Sequence, residues 1–324
     1  MVWLSFLWLA IGIALLVGAS KVAISNLVTI SEKRRLRKSV LSFLLVALST
    51  SLPELVVALN AIVLGNIDVS LGDILGSNIV NVALIIGASL IVAGAGKSNA
   101  AKVYLREDDK NEFRTGLMWV SITLLMLLYL QTAGNVIGAL LLVSFFVYSY
   151  NLFKKRGKEN EESLLEEPKD RRIAKELALT LVGIFGVIVG ARFTVESAIE
   201  IATFFGVPAS IIGATLIAFE TSLPELAVNI RAAYEGFIEI VMGNIVGSCF
   251  LNSTFILGML LLFTSTQANF VVLSDLILFS VTSNIVLLHL MEIGYMGRKG
   301  GLILLIIYII SLLSLLGILV TRPI

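Results

Sequence analysis

The chain is built from long apolar segments separated by short polar ones. Ten apolar segments have about the length, ~18 residues, that a helix needs to cross a bilayer. They lie near residues 2–20, 40–65, 69–95, 116–131, 133–153, 174–200, 208–234, 238–264, 270–291 and 300–320. This pattern predicts an all-α integral membrane protein with ten transmembrane helices.

Basic residues concentrate in the loops that follow odd-numbered segments. Lys and Arg occur at 33–38, 97–114, 154–172 and 298–299, but not at 66–68, 131–135, 201–207 or 264–270. The loop near 231–239 is the exception, because Arg231 is accompanied there by Glu235 and Glu239. By the positive-inside rule the basic loops are cytoplasmic and both termini are extracellular, in a multi-pass protein of the cell membrane. Residues 1–19 lack a basic start, so we interpret them as the first span rather than a cleaved signal.

A charged stretch at residues 154–173 divides the chain into an N-terminal half, 1–153, and a C-terminal half, 174–324, with five segments each. Because five is odd, the second half enters the membrane from the opposite face. The halves are therefore predicted to be inverted-topology repeats, an arrangement typical of secondary transporters with a central substrate site. We interpret residues 154–173 as a solvated cytoplasmic linker; a regulatory ligand site is the alternative.

Both halves contain the same polar segment, displaced by 171 residues without a gap. ALSTSLPE at 47–54 corresponds to AFETSLPE at 218–225, and GDILGS at 72–77 corresponds to GNIVGS at 243–248. A carboxylate in hydrocarbon costs roughly 2.5–3.5 kcal/mol or more. Two carboxylates at matched positions, Glu54 and Glu225, indicate one shared cation site. The alternative interpretation is that each glutamate makes a hydrogen bond to a neighbouring helix and binds no cation.

The spacing of the polar residues places oxygen atoms on one helix face. Residues at i, i+3, i+4 and i+7 share a face, and this applies to two sets, Ala47, Thr50, Ser51 and Glu54, and Ala218, Thr221, Ser222 and Glu225. Pro53 and Pro224 leave the carbonyls four residues earlier without their helical partners. Hydroxyls, carbonyls and a carboxylate are the ligands of hard cations.

Charge favours exchange of cations over simple permeation. Glu54 and Glu225 bring two negative charges, which one Ca²⁺, two monovalent cations or protonation would neutralise. Two charged carboxylates without a bound cation are unfavourable in the low dielectric of the membrane. Such a site would therefore release one cation only in exchange for another and would not leak. The nearby glycines at 72, 76, 243 and 247 serve close helix packing or the site itself.

Composition excludes several other classes of function. The chain has 324 residues, 57% of them apolar and 15% charged, and its net charge of +1 by itself says nothing about partners. We predict inorganic cations and the lipid bilayer as its partners and no nucleic acid. A single cysteine, Cys249, excludes an internal disulfide and a cysteine-rich metal site. We interpret the one histidine, His289, as a buried residue whose ring nitrogens are hydrogen-bonded. The alternative is that it relays protons. No HExxH or Gly-x-Ser-x-Gly motif is present, so we predict no enzyme, and no obligatory protein partner is evident.

The repeated motifs resemble those of the Ca²⁺/cation antiporter superfamily, particularly its prokaryotic sodium/calcium exchanger-like members. The resemblance covers both repeats and nearly the whole chain. It implies Ca²⁺ as the transported ion, held by Glu54 and Glu225 with carbonyl oxygens of Thr50 and Thr221. It also implies Na⁺ as the counter-ion, and helices 1 and 6 that slide across the core to alternate access. The Na⁺ ligands that it implies are the backbone of Ala47 and Ala218 and the side chains of Ser51, Ser77, Ser222 and Ser248, with Asn81 and Asn252 at the remaining polar position.

The chain departs from the family pattern at several positions. Ser49 and Glu220 replace the glycine before Thr-Ser, Asp73 replaces an asparagine, and Asn252 stands where Asp is common. Asn252 and Glu220 favour the alternative of proton-driven Ca²⁺/H⁺ exchange. Glu220 itself faces away from the site on an unbroken helix, or turns inward if the helix unwinds. An alternative from a different functional class is an ion channel. The sequence shows no repeated ring of charged residues or carbonyls that would indicate a selectivity filter.

Overall fold

The protein is almost entirely helical in a computed structural model, which describes residues 2–34, 42–64, 67–95, 105–130, 132–162, 173–204, 219, 221–263, 268–269 and 273–315. The first half contains α1 Val2–Arg34, a π-helical segment π1 Ser42–Val46, α2 Ala47–Thr50, α3 Leu52–Leu64, α4 Ile67–Ile79, π2 Val80–Ile86, α5 Gly87–Ala93, α6 Glu107–Leu130 and α7 Asn135–Glu162. The second half contains α8 Ala174–Phe204, α9 Leu223–Glu235, α10 Ile238–Phe250, π3 Leu251–Ile256, α11 Leu257–Phe263, α12 Ser274–Glu292 and α13 Arg298–Leu315. Two-residue strands, Thr132–Ala133 and Ala268–Asn269, pair antiparallel between the halves.

The predicted all-helical membrane fold with two inverted five-helix repeats is confirmed. Helix bounds recur with the spacing of the sequence repeat: Leu52–Leu64 and Leu223–Glu235 differ by 171 at both ends, as do Ile67–Ile79 and Ile238–Phe250. In the described part of the chain, four continuous helical stretches are long and apolar enough to cross a bilayer. They are Trp3–Ile30, Ser70–Ala93, Ile238–Phe263 and Ser274–Glu292.

The repeated segments form the core, and long helices lie outside them. The apolar stretches of Ser70–Ala93 and Ile238–Phe263 are 78% and 83% buried, whereas that of Trp3–Ile30 is 24% buried. The exposed side chains of α1 include Trp3, Leu7 and Val17. Apolar outer faces of this kind are expected in a bilayer, because these side chains contact lipid chains instead of water.

The peripheral helices α1 and α8 pack against each other along much of their length. A Cβ atom added to Gly183 of α8 would lie 2.7 Å from the backbone nitrogen of Ala23 and 2.9 Å from the carbonyl oxygen of Ala19. The two backbones therefore touch, as small residues at membrane helix interfaces allow. At one end of this pair, Lys33 Nζ lies 2.9 Å from Glu176 Oε1.

Three predicted boundaries differ clearly from the structure. The fifth helix was expected to end near residue 153, where the linker was predicted to begin, but α7 continues to Glu162. The first helix was expected to end near residue 20, but α1 continues to Arg34 because Ala23, Ile24 and Leu27 pack in the core. The fourth was expected to begin near 116 after a polar loop, but α6 begins at Glu107. Its first turn carries Glu107, Asp108 and Asp109, and negative charge stabilises a helix N-terminus.

The prediction that His289 is buried is wrong. His289 lies on an exposed position of α12, near the end of that helix. An apolar sequence neighbourhood indicates burial in a water-soluble protein, but in a membrane helix it also occurs on the outward face.

Candidate cation site

The helix that carries each glutamate is interrupted at the same place in both repeats. Ser51, between α2 and α3, has φ −84° and ψ 13°, and Ser222, before α9, has φ −86° and ψ 1°. Each break precedes a Leu-Pro pair, and proline cannot supply the backbone N–H that a continuous helix requires. The break falls within the Thr-Ser-Leu-Pro-Glu motif, three residues before the glutamate.

The predicted site residues that the structure describes are all buried. This applies to Ala47, Thr50, Ser51, Glu54, Ser77, Asn81, Thr221, Ser222, Glu225, Ser248 and Asn252, each at most 5% exposed. Ala218, the remaining predicted residue, and Glu220 lie outside the described residues.

Glu225 connects the two repeats through serine hydroxyls. Ser51 Oγ donates to Glu225 Oε1 at 3.1 Å and also lies 3.2 Å from Ser248 Oγ. Ser248 Oγ lies 3.5 Å from the same carboxylate oxygen. Two predicted serines, one from each repeat, therefore meet at the carboxylate of a third predicted residue. Its second oxygen, Oε2, has no hydrogen-bond partner among the described residues.

Glu54 has a different environment from its repeat equivalent. It is completely buried, yet neither carboxylate oxygen has a hydrogen-bond partner among the described residues. Its carboxyl group interacts electrostatically with those of Glu225 and Asp73. A buried carboxylate without donors is unfavourable by itself, so this position requires a compensating cation, water or proton.

Two threonines make equivalent contacts across the repeats. Thr221 Oγ1 donates to Asp73 Oδ1 at 2.8 Å, and Thr50 Oγ1 lies 3.5 Å from Asn244 Oδ1. Adding 171 to Thr50 gives Thr221, and subtracting 171 from Asn244 gives Asp73. Such reciprocal contacts, in which a residue of each repeat contacts the equivalent partner in the other, are expected when two repeats are related by a pseudo-two-fold axis. Ser77 Oγ lies 3.3 Å from Thr221 Oγ1 and so extends the same group.

The two predicted asparagines lie in π-helical segments. Asn81 is the second residue of π2, and Asn252 is the second residue of π3. Neither side-chain amide has a hydrogen-bond partner among the described residues, although both are fully buried. Short π-helical segments are frequent at functional sites, because the wider turn alters the backbone hydrogen bonding.

The backbone carbonyl predicted at Ala47 has two donors close to it. The N–H of Ser51 donates to Ala47 O at 3.0 Å, and Thr50 Oγ1 lies 3.5 Å from the same oxygen. The Thr50 hydroxyl has a shorter bond, of 3.0 Å, to Val46 O, and when it donates there a lone pair of Ala47 O is open to a cation.

The glycines of the repeat have different roles. A Cβ atom on Gly247 would lie 2.8 Å from the Cβ of Ala47 and 2.9 Å from the carbonyl oxygen of Phe43. Gly247 therefore lets α10 approach α2 closely, as the packing interpretation expects. At Gly72 a Cβ atom would meet nothing within 4 Å.

Sequence reasoning did not include Asp73 and Asn244 among the site residues. Both are buried, at 2% and 0% exposure, and each contacts a predicted threonine. Their spacing was a usable signal, because Asp73 and Ser77 are four residues apart and share a helix face, as do Asn244 and Ser248. What spacing did not reveal was which helix this face meets.

The chemistry of the site is that of a cation site rich in neutral oxygens. Among the described residues, no group of three or more His, Cys, Asp and Glu side chains is arranged to hold a metal ion by itself. Hydroxyl, amide and carbonyl oxygens surround the carboxylates instead, and hard cations such as Na⁺ and Ca²⁺ bind to oxygen ligands.

Comparison with known proteins gives a consistent family. The chain is 27% identical over 300 residues to the sodium/calcium exchanger MaX1 of Methanosarcina acetivorans, covering 80% of this chain and 83% of that protein. It is 29% identical over 235 residues to the inner membrane protein YrbG of Escherichia coli, covering 69% of each. A structure of the sodium-calcium exchanger NCX_Mj, soaked with Na⁺ and Sr²⁺, superposes with a TM-score of 0.82 at 26% identity, over 97% of this chain and 99% of that one.

The match to the family extends over both repeats. The family model for sodium/calcium exchanger proteins matches residues 4–154 and 175–317. These ranges include every residue of the buried polar site described above. The chain therefore belongs to the sodium/calcium exchanger protein family, whose members are membrane transporters of cations.

Proposed function

We propose that this protein is an antiporter that exchanges Ca²⁺ for Na⁺ across the cell membrane by alternating access. The observation that carries the proposal is the complete burial of Glu54 and Glu225, equivalent residues of two inverted repeats, with Ser51 of the first repeat donating a hydrogen bond to Glu225 of the second. Their two negative charges match one Ca²⁺ or two Na⁺. Binding of either kind of cation would neutralise the same site, which is the condition for exchange.

The proposed Ca²⁺ ligands are the carboxylates of Glu54 and Glu225 with the backbone carbonyls of Thr50 and Thr221. The proposed Na⁺ ligands are the carbonyls of Ala47 and Ala218 and the hydroxyls of Ser51, Ser77, Ser222 and Ser248. Asn81 and Asn252 complete the centre. The unsatisfied buried amides of these two asparagines support the assignment, because a bound cation or its water would supply their missing partners.

The proposed movement uses α1 and α8, which lie at the periphery of the core. Their close backbone contact at Gly183, Ala19 and Ala23 supports a pair that moves as one body. The core segments α4 and π3, which directly follows α10, are by contrast joined by contacts between the repeats, such as the hydrogen bond of 2.8 Å from Asn78 Nδ2 to Ser253 Oγ. Sliding the pair past the core would expose the site to one side and then the other.

We further propose that the halves 1–153 and 174–324 are the two repeats of this transporter and that residues 154–173 link them in the cytoplasm. Both termini would then be extracellular. The distribution of Lys and Arg supports this orientation, because the basic loops follow odd-numbered spans. The exception is the loop after the seventh span, near 231–239, where Arg231 is accompanied by Glu235 and Glu239.

Proton-driven exchange is the competing assignment of the counter-ion. It is favoured by Asn252, where Asp is common in the family, and by the additional Glu220. The names of MaX1 and NCX_Mj as sodium/calcium exchangers support Na⁺ instead.

The experiment is ⁴⁵Ca²⁺ uptake into proteoliposomes with Na⁺, K⁺ and pH gradients imposed one at a time. We expect uptake to require an opposing Na⁺ gradient and to be lost in Glu54→Gln and Glu225→Gln. Uptake driven by a pH gradient without Na⁺ would assign the protein to Ca²⁺/H⁺ exchange. Uptake that needs no counter-gradient, with single-channel currents in planar bilayers, would contradict antiport altogether.

A further inference from the structure

A mostly apolar cavity of about 420 Å³ lies between α1 and α9. Its volume is within the range of about 300–1,000 Å³ that is usual for small-molecule sites. Its lining side chains include Ile13 and Val17 of α1, Val92 of α5, and Leu226 and Ile230 of α9. Ser20 also lines the cavity, but its hydroxyl donates to the carbonyl of Val17 within α1, at 3.1 Å. The walls therefore favour an apolar ligand.

The cavity is about as deep as one leaflet of a bilayer. Its wall on α9 extends from Leu223 to Tyr234, which is roughly 16 Å along a helix that rises 1.5 Å per residue. Half of a hydrocarbon core of ~30 Å is about 15 Å. Leu223 directly follows the helix break at Ser222, and Tyr234 is next to the last residue of α9. The cavity therefore extends from the level of the cation site to the end of the helix, as a single acyl chain would.

The cavity faces lipid on its outer side. Ile13 and Val17 are 47% and 59% exposed, and Tyr234 is 42% exposed. A path for ions through a membrane protein is lined by polar groups or carbonyls, whereas exposed apolar side chains in a membrane helix contact lipid chains. The ligand that reaches this cavity most directly is therefore a lipid of the surrounding bilayer.

A positive charge lies at the end of the cavity where α9 ends. Arg231 lines the cavity with a side chain that is 22% exposed and pairs with Glu235 through Nη2. Its guanidinium carbon lies 5.7 Å from the centre of the Tyr234 ring. A guanidinium group has five N–H donors, so the pair with Glu235 leaves donors for a second anion. Arginine is well suited to phosphate, because its planar donors match the phosphate oxygens.

The first repeat lacks this charged end in its sequence. The positions equivalent to Arg231 and Tyr234 are occupied by Asn60 and Val63. The fold that the repeats share therefore does not require an arginine or an aromatic residue at these positions. Arg231 and Tyr234 add an anion-binding group to the apolar cavity of the second repeat alone.

We propose that this cavity binds a membrane phospholipid, with one acyl chain between α1 and α9 and the headgroup phosphate on Arg231. The chain contacts both α1, the helix proposed to slide, and α9, the helix that carries Glu225. The bound lipid therefore stabilises the arrangement of α1 and α9 in this structure over one in which they have moved apart. The effect on movement rests on the proposed function, whereas the lipid site itself does not.

The test is lipid binding to the purified full-length protein after delipidation in detergent. The probe is dioleoyl phosphatidylglycerol. It is compared with dioleoylglycerol, which has the same chains and no phosphate, and with glycerophosphate, which has no chains. Native mass spectrometry measures the affinity, and the thermal unfolding midpoint measures stabilisation by the bound lipid. We expect one phospholipid to bind tightly and to raise the midpoint, and both truncated probes to bind roughly 10-fold or more weakly.

Variants of the charged end test the phosphate contact. Arg231→Gln should weaken binding of the phospholipid roughly 10-fold or more, with little effect on dioleoylglycerol. Arg231→Lys, which keeps the positive charge, should retain more of the affinity than Arg231→Gln does. Glu235→Gln should not weaken binding, because the phosphate and this carboxylate share one guanidinium group. If Arg231 served only its pair with Glu235, neither variant would change the affinity for the lipid.

A second pair of variants tests the cavity itself. Ala227 lines the cavity, so Ala227→Phe should fill it and abolish tight binding while Arg231 is intact. Val56 is the equivalent residue of the first repeat and is 54% exposed, which makes Val56→Phe the matched control. We expect Val56→Phe to bind the phospholipid as the unmodified protein does. The Arg231 variants decide the question if Ala227→Phe does not fold.

The lipid site and antiport fail in different ways. Equal affinity for phosphatidylglycerol and dioleoylglycerol would overturn the lipid proposal, as would undiminished binding to Ala227→Phe. Neither result would affect antiport, which is tested by ⁴⁵Ca²⁺ uptake into proteoliposomes. Uptake that needs no counter-gradient would contradict antiport and leave the lipid site in place.

Discussion

Ser51 of the first repeat donates a hydrogen bond of 3.1 Å to Oε1 of Glu225 in the second. The equivalent pair with the repeats exchanged is Ser222 and Glu54, and there neither Ser222 Oγ nor the Glu54 carboxylate has a hydrogen-bond partner among the described residues. The site therefore combines two equivalent halves in unequal states. Alternating access requires such inequality, because each access state closes one side of the site and opens the other.

This asymmetry predicts different effects for two equivalent serine substitutions. Ser51→Ala removes a hydrogen bond to a buried carboxylate, which contributes about 1.5–3 kcal/mol. Ser222→Ala removes a hydroxyl that has no hydrogen-bond partner in the part of the chain that the structure describes. We expect Ser51→Ala to lower the thermal unfolding midpoint of the purified protein more than Ser222→Ala does. Equal losses of stability would contradict the asymmetry.

The two glutamates should be essential for transport. Removing one member of a group of buried, interacting charges costs about 2–5 kcal/mol, or roughly 30-fold to several thousandfold in binding. We expect Glu54→Gln and Glu225→Gln each to abolish measurable ⁴⁵Ca²⁺ uptake in proteoliposomes. Glu196→Gln is the control, because the Glu196 side chain is 53% exposed and pairs with Arg192, which is also exposed, at 2.7 Å. Normal uptake in either site variant would refute the shared site.

The glycines at 247 and 72 should differ in their tolerance of a methyl group. An alanine at 247 would place its Cβ 2.8 Å from that of Ala47, beside the proposed Na⁺ ligand. Overpacking of this kind costs about 1–3 kcal/mol. We expect Gly247→Ala to lower the unfolding temperature and ⁴⁵Ca²⁺ uptake. Gly72→Ala, with nothing within 4 Å of the added carbon, should leave both unchanged. Sensitivity at 72 with tolerance at 247 would contradict the packing.

The proposed orientation can be measured with engineered cysteines. Cys249 is fully buried, so it should give little background with a membrane-impermeant maleimide. In intact cells we expect the reagent to label Gln267→Cys, in a loop after an even-numbered span, but not Lys158→Cys, in the part of α7 that extends beyond the predicted fifth span. Both should be labelled after the membrane is permeabilised. Labelling of Lys158→Cys alone in intact cells would reverse the orientation.

The sequence by itself determined the architecture of this protein. The spacing of 171 residues between equivalent motifs and the odd number of spans in each half predicted two inverted repeats, and the family and the structure confirm that fold. The reason is that hydrophobic length and the order of residues along one chain are sufficient to count helices and to align repeats. They also locate polar residues on a single helix face, such as that shared by Ser51 and Glu54.

Tertiary structure alone decided which helix faces contact each other and how the contacts of equivalent residues differ between the two repeats. The sequence did not reveal that Thr221 would contact Asp73 or that His289 would lie exposed. It also did not reveal that Ser51 would donate to Glu225 while Ser222 Oγ has no hydrogen-bond partner in the described ranges. These contacts join residues more than a hundred positions apart, or depend on which side of a helix faces lipid. They are set by the packing of whole helices against one another, and no local period in the sequence encodes that packing.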